Sequence, residues 1–404
     1  MKRVSLLIFA LLAFTAANAQ KPRPDAFPPV ADTLAPKALN MATTLEEMAN
    51  WDRYPTYPVY VEMMEHFAET YPNLCHLDSI GLSVQDRQIL CLVITGTNDS
   101  ITNKPEFFYT STMHGDEVTG FYLMLRLCDS LLRGYGNSTE ITRLLDRTKI
   151  FINPLSNPDG TYHGGDNTVR GAIRYNSLMV DLNRNYPDPF GTPPLDELQR
   201  ENSYMIEYTS QHNFRLSANL HGGAEVMNYP WDSYTSRELT HENAEWWKAV
   251  GQRFVDTCRT YDNYRFRDVN TRGVINGGDW YVISNGRQDY FNSQGIREIT
   301  MELSSTKILS TDQLDHYWQC LSHSLINYIN EVHSFATCDT IATDTSTVGI
   351  DPIADQAYKA YPNPTRGPIT IVTPTETLHY NLSDRPAGIY FIRTKGHTVK
   401  VIKQ

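Results

Sequence analysis

Phe107-Phe108-Tyr109-Thr110-Ser111-Thr112-Met113-His114-Gly115-Asp116-Glu117 is the stretch on which the fold turns. It begins as a β-prone aromatic run and ends in a turn that offers an imidazole and a carboxylate three residues apart. Along a strand, residues i and i+3 point to opposite faces, whereas a strand-to-helix turn can bring both to one side. There a histidine nitrogen and a glutamate oxygen can share one metal ion at about 2.0–2.2 Å. The plainer alternative is a capping glutamate beside a structural histidine, so the H-x-x-E pair gains meaning only from the rest of the chain.

Around this stretch the pattern alternates. Residues 58–71 place Val59, Met63, Phe67 and Tyr71 on one helical face, closed by Pro72. Residues 75–80, 89–95 and 107–111 read as strands, 118–132 as a helix and 148–153 as a further strand. After a turn at Asn157-Pro158-Asp159-Gly160 come a helix over 195–211, a strand over 215–220 and a helix over 241–259. A strand over 296–303 and a closing helix over 311–333 complete the series. This order predicts an α/β fold, a mixed and mostly parallel sheet covered by helices on both faces.

The two ends differ from this body. Lys2 and Arg3 precede an apolar run over 4–14, and Ala17-Asn18-Ala19 then supplies a small-x-small cleavage site, so residues 1–19 read as a secretory signal peptide. No other stretch approaches the roughly 20 apolar residues of a membrane-spanning helix. Residues 20–45 read as a proline-rich leader or pro-segment, 46–335 as the main domain, 336–358 as a linker and 359–404 as a short β-prone segment. The formal net charge is −11 with no block of Lys or Arg, which argues against nucleic acid as a partner. The six cysteines are irregularly spaced and include no C-x-x-C, so neither a zinc ribbon nor a redox pair is indicated. In an exported chain some of them can form disulfides, but spacing leaves the pairing open.

Several motifs carry chemistry. Ser217-Ala218-Asn219-Leu220-His221-Gly222-Gly223 is a second strand ending in a histidine at a glycine turn. Sheets of this kind collect their ligands outside the carboxyl ends of strands, where His221 would meet His114 and Glu117. Two His and one Glu with an open fourth position make a catalytic zinc set. In Asp181-Leu182-Asn183-Arg184-Asn185 an amide and a guanidinium stand together, suited to gripping a carboxylate. Arg174 offers a second cation for a developing oxyanion, and Asp181 a carboxylate to orient a ligand histidine. Taken singly, each could equally be a surface ion pair or a turn cap. The alternating run Ile296–Leu303 puts Glu302 on the face of Glu298 and Thr300, where a dry cleft would make it a general base. Tyr281 sits in a glycine-flanked loop, Gly277-Gly278-Asp279-Trp280-Tyr281, that could swing and close over a chain end.

Together, His114-x-x-Glu117, Asn157-Pro158-Asp159-Gly160, Arg174, Asp181-Leu182-Asn183-Arg184-Asn185, His221-Gly222-Gly223 and Thr300-Met301-Glu302-Leu303 resemble the zinc metallocarboxypeptidases. The likeness is strongest to the regulatory branch that includes carboxypeptidases D, E, M and N. It implies a mixed eight-stranded sheet between helices and one Zn2+ per chain held by His114, Glu117 and His221. It further implies Glu302 as general base and acid, Arg174 as oxyanion stabiliser and Asp181 behind a ligand histidine. Asn183 and Arg184 would bind the substrate's terminal carboxylate, with Tyr281 capping the pocket. Asp232, eleven residues beyond His221, and Gln288, seven beyond Tyr281, fall where members specific for basic residues carry their pocket groups, which implies a preference for C-terminal Arg or Lys. Tyr361-Pro362-Asn363-Pro364, Gly388-Ile389-Tyr390 and Lys400-Val401-Ile402-Lys403 are similar to the C-terminal sorting domain of the type IX secretion system.

The expected protein is thus a monomeric zinc exopeptidase, secreted or held at the cell surface after passage through the periplasm. Its expected partners are peptide or protein C-termini and, through the tail, the secretion machinery. Two alternatives stand beside it. One is a zinc amidohydrolase of acylated amino acids or cell-wall peptides, against which Asn183, Arg184 and Tyr281 argue. The other is an inactive peptide-binding module of the same fold, against which the complete residue set argues.

Overall fold

Phe107, Phe108 and Tyr109 send successive side chains to opposite faces of a strand, and two apolar cores form accordingly, one on each side of the sheet. In the computed structural model of the protein, the described residues are 36–334 apart from 99 and 102 and, in the tail, 359–361, 368–372, 377–383, 388–394 and 397–403. The expected signal peptide, most of the leader, the linker and Cys338 lie outside them.

The sheet has eight strands, here β1 Cys75–Leu82, β2 Gln88–Ile94, β3 Glu106–Ser111, β4 Lys149–Asn153, β5 Phe214–His221, β6 Ala224–Tyr229, β7 Val274–Asn276 and β8 Arg297–Ser304. Their spatial order is β1-β2-β4-β3-β5-β8-β6-β7. The β4-β3, β3-β5, β5-β8 and β6-β7 pairs are parallel, and β1-β2, β2-β4 and β8-β6 are antiparallel. The mixed sheet expected from the alternation of elements is therefore present.

On the larger face Leu90, Leu92, Phe107, Tyr109, Ile299 and Met301 meet helices Tyr57–Thr70, Thr119–Gly134, Ala244–Arg259 and Leu314–Asn330. On the other, Ile89, Cys91, Val93, Phe108, Phe151 and Phe214 lie under helices Arg200–Ser210 and Arg287–Ser293. Phe108 stacks on Phe214 at 4.7 Å and Phe151 meets the same ring edge-on at 4.8 Å, pairings worth about 0.5–1.5 kcal/mol beyond burial. Cys75, Cys91, Cys128, Cys258 and Cys320 are all buried free thiols, so among the described residues none is paired.

Some elements differ from expectation. The helix expected from 195 starts at Arg200. Pro193 and Pro194 precede this stretch, and Asn185 holds it extended by donating to Glu197 O at 2.9 Å and accepting from Gln199 N at 2.7 Å. Three elements were not expected: helix Thr139–Arg147, although Ser138 caps it and Ile141, Leu144 and Leu145 share one face, and strand β6 and helix Arg287–Ser293, which show no clear period. The tail forms a unit of its own: Lys359–Tyr361, Pro368–Val372 and Thr377–Asn381 make an antiparallel sheet, and Gly388–Thr394 pairs with His397–Lys403.

Candidate metal centre and substrate cleft

Strand β3 ends at Ser111, and the chain turns at Thr112 with a positive φ of 60°. The segment that begins at Ser156 holds this turn from below. Ser156 N donates to Ser111 O at 3.0 Å, Asn157 N to Thr112 O at 3.2 Å and Asn157 Nδ2 to Met113 O at 3.1 Å. A Cβ at Gly115 would run into the backbone of Gly160 and Thr161, so only glycine lets the two turns approach. The Asn-Pro-Asp-Gly motif is thus a buttress, folded as a short helical turn capped by Asn157. It delivers His114 and Glu117, both buried, to the end of β5, where His221 is the last strand residue.

Three donor atoms converge there. His114 Nδ1 lies 3.0 Å from Glu117 Oε2, His221 Nδ1 lies 2.8 Å from the same oxygen, and the two imidazole nitrogens are 3.0 Å apart. Ligand atoms about 2.1 Å from a tetrahedral zinc are about 3.4 Å apart, so the triangle needs to open by only about 0.4–0.6 Å to seat the ion. The protonation pattern also fits. Asp181 Oδ1 accepts from His114 Nε2 at 3.1 Å, which places the ring proton there and leaves the Nδ1 lone pair facing inward. Burial pushes His221 down to about 4, so its ring is neutral and ligand-competent near neutral pH. Burial alone would raise Glu117, but His114 and His221 outweigh it and hold the carboxyl well below its usual range.

The base candidate comes from register. Along β8 and β5, Glu298 pairs with Ser217, Thr300 with Asn219 and Glu302 with His221, while Ile299, Met301 and Leu303 enter the larger core. Glu302 therefore stands beside the candidate ligand His221 on the same face of the sheet. Its side chain is buried, and Oε2 has no hydrogen-bond partner among the described residues. Burial, then the nearby Glu117, raise its carboxyl well above the usual range, the direction a general base near neutral pH requires.

The remaining expected residues border the same space. Arg174 is paired with Asp181 Oδ2 at 2.9 Å and reaches to 3.2 Å from His114 Nδ1 and 3.5 Å from Glu117 Oε1. Asn183 accepts from Arg287 N through Oδ1 at 2.9 Å, which leaves its NH2 group as the donor, and Arg184 Nη1 donates to Asn183 O at 2.8 Å. Tyr281 follows a helical turn, Gly277–Trp280, capped by Asn276, rather than an open loop. Burial raises its phenol, with Arg184 and Arg174 opposing and Glu302 and Asp232 adding to the rise, so all five groups share one electrostatic environment. Asp232 is 3% exposed, and Gln288 Nε2 donates to its Oδ1 at 2.8 Å. Burial, then Asp289, push the Asp232 carboxyl well up, with Arg184 pulling the other way.

Arg287, Asp289 and Lys307, and the pairing role of Glu298, had escaped sequence reasoning. Glu298 and Arg287 form an ion pair at 2.8 Å with both side chains at most 1% exposed, and Glu298 also accepts from Ser217 Oγ at 2.7 Å and Asn219 Nδ2 at 2.9 Å. The strand alternation that placed Glu298 on the face of Glu302 was the available signal. Asp289 accepts both N–H groups of Asp232 and Ser233 at 2.8 Å, fixing the pocket loop. Lys307 Nζ bonds Asp116 Oδ2 at 2.9 Å and lies 3.5 Å from Glu117 Oε1.

Comparison with known proteins agrees with this geometry. Residues 60–322, more than half of the chain, match the zinc carboxypeptidase family. The chain is 36% identical over 302 residues to carboxypeptidase M of Mus musculus, covering 67% of this chain and 65% of that one. It is 33% identical over 294 residues to carboxypeptidase D of Rattus norvegicus, covering 69% of this chain but 21% of the relative, about a fifth of its length. Carboxypeptidase A from Helicoverpa armigera shares the fold with a TM-score of 0.62 at 19% identity, over 74% of this chain and 78% of that one. Thrombin activatable fibrinolysis inhibitor does so at 0.61 and 19%, over the same 74% and 78%. The matched stretch contains every candidate ligand and the candidate base, and the chain belongs to the zinc carboxypeptidase family.

Proposed function

We propose that the protein removes single residues from peptide C-termini, with a preference for Arg and Lys. The observation that carries the reading is the register of Glu302 beside His221 at the mouth of the His114–Glu117–His221 triangle. His114, Glu117 and His221 would hold a zinc ion, which when bound would supply Lewis-acid chemistry for the scissile carbonyl and the attacking water. The chain's own residues do the rest. Glu302 takes a proton from the water and passes it to the leaving amine, the role its raised affinity for a proton suits. Arg174, held by Asp181, donates to the oxygen on which charge develops. Asn183 and Arg184 receive the terminal carboxylate, and Tyr281 covers it. Asp232, with Gln288 donating to it, supplies the negative charge for a basic side chain.

The test is cleavage of matched unmodified peptides that end in Arg, Lys, Phe or Glu, followed by mass spectrometry. Stepwise loss of the last residue supports the reading. Activity confined to N-acylated amino acids would replace it with the amidohydrolase, and zinc binding without turnover would leave only a peptide-binding module.

Export is a further part of the proposal. The sequence over 1–19 and the motifs of 359–404 support a secreted or surface enzyme that passes through the periplasm and is sorted by its tail. Deleting 359–404 is expected to leave the purified catalytic domain active but retained in the periplasm of the native host. Loss of folding on deletion would instead make the tail part of the catalytic body.

A further inference from the structure

A second set of metal-binding side chains lies away from the catalytic triangle. Cys320 is buried in helix Leu314–Asn330, and His316 stands one turn before it. Residues i and i+4 of a helix share a face, the spacing by which two side chains of one helix hold a single ion. Asp262 faces them from the segment that follows helix Ala244–Arg259. Its Oδ1 accepts from Tyr264 N at 3.0 Å, which fixes the carboxylate and turns Oδ2 to His316 Nε2 at 3.3 Å. Cys320 Sγ is 3.7 Å from the same nitrogen, and the three donor atoms lie within 4.8 Å of one another.

The two separations from the imidazole nitrogen fit a tetrahedral ion. With zinc bonds of about 2.0–2.1 Å to nitrogen and oxygen and about 2.3 Å to sulfur, neighbouring ligand atoms stand about 3.3 Å apart for the N–O edge and about 3.6 Å for the N–S edge. A carboxylate, an imidazole and a thiolate together favour a borderline ion over calcium or magnesium, which prefer oxygen alone. The nearby Arg265 does not oppose a cation, because Glu225 neutralises it at 2.6 Å. The His316 side chain is 56% exposed, so solvent can reach a fourth position.

We propose that Asp262, His316 and Cys320 form a second divalent-metal site that takes zinc and clips the segment after helix Ala244–Arg259 to the helix Leu314–Asn330. It shares no ligand with the catalytic triangle, so its role is structural and independent of the peptidase reading. The decisive material is the full chain carrying His114→Ala and His221→Ala, which removes two of the three catalytic ligands. After equilibration with zinc and desalting, elemental analysis is expected to find one zinc per chain, lost when Cys320→Ser is added. Independently, Co2+ added to the otherwise unchanged protein should give a sulfur-to-cobalt charge-transfer band that Cys320→Ser abolishes, with peptidase activity retained. The cobalt experiment decides the matter if the double variant does not fold. No zinc on a folded double variant, no such band, or a band that survives Cys320→Ser would overturn the site and leave a plain His316–Asp262 ion pair.

Discussion

Replacing Asp232 by Asn is the sharpest probe of the cleft, because it removes one charge and almost no volume. Breaking a buried charge pair at a binding interface costs about 2–5 kcal/mol, a factor of roughly 30 to several thousand. The structure favours the lower part of that range. Burial and Asp289 already press the Asp232 carboxyl toward its neutral form, so part of the attraction for a substrate guanidinium goes into ionising it. We expect kcat/KM for Arg-terminated peptides to fall about 30- to 100-fold, with Phe-terminated peptides unchanged or slightly better. In the parent enzyme kcat/KM for Arg peptides should climb with pH as Asp232 ionises, and the variant should lose that rise. Stability supplies the control. A carboxyl whose folded pKa is raised contributes stability at low pH that is lost as pH rises toward the folded value, so Asn should leave Tm at neutral pH equal or higher. An equal loss on Arg and Phe peptides, with Tm lowered, would show that Asp232 merely caps its loop and refute the specificity argument.

Other expectations follow from the same geometry. Glu302→Gln should keep zinc, by elemental analysis, while kcat falls on the order of 10²–10⁴-fold because an amide cannot accept the proton. His114→Ala should lose metal and activity together. Arg287→Met strands Glu298 as an unpaired buried charge, and urea unfolding of the zinc-loaded enzyme should show a loss of about 3–5 kcal/mol, partly recovered when Glu298→Leu is added. Gly277→Ala puts a methyl group onto the Asp232 carboxylate, so KM for Arg peptides should rise while Phe peptides are little affected.

Much of this was readable in the residues, for identifiable reasons. Period-two alternation in 296–303 puts Glu302 on the face of Glu298 and Thr300, and register sets it beside His221. The H-x-x-E turn was legible because a strand cannot present that spacing on one side. Strand β6 was not, since all six of its residues are buried and it shows no alternation. It also starts three residues after His221, yet β8 separates it from β5, against the usual tendency of consecutive strands to pair. Asp289 and Arg287 stayed hidden because helix Arg287–Ser293 is too short to show a period, and their partners, Asp232 and Glu298, are remote in sequence or on another element. Tyr281 read as loop because two glycines masked a turn that Asn276 caps.

The position of Glu302 has a thermal consequence. Strand β8 is bonded on both sides, to β5 and to β6, and a slip of one residue would turn Glu302 into the apolar core. Glu302 can therefore leave its place only when the central sheet itself comes apart, and the amides around it should exchange only through global unfolding. Asp232 and Tyr281 sit instead on connections outside the central ladder, held by loop bonds such as Ile283 N to Asp232 O and by Asp289, which can open locally. On warming, the enzyme should thus become less choosy before it becomes slower, the Arg-to-Phe ratio declining at temperatures where turnover still rises.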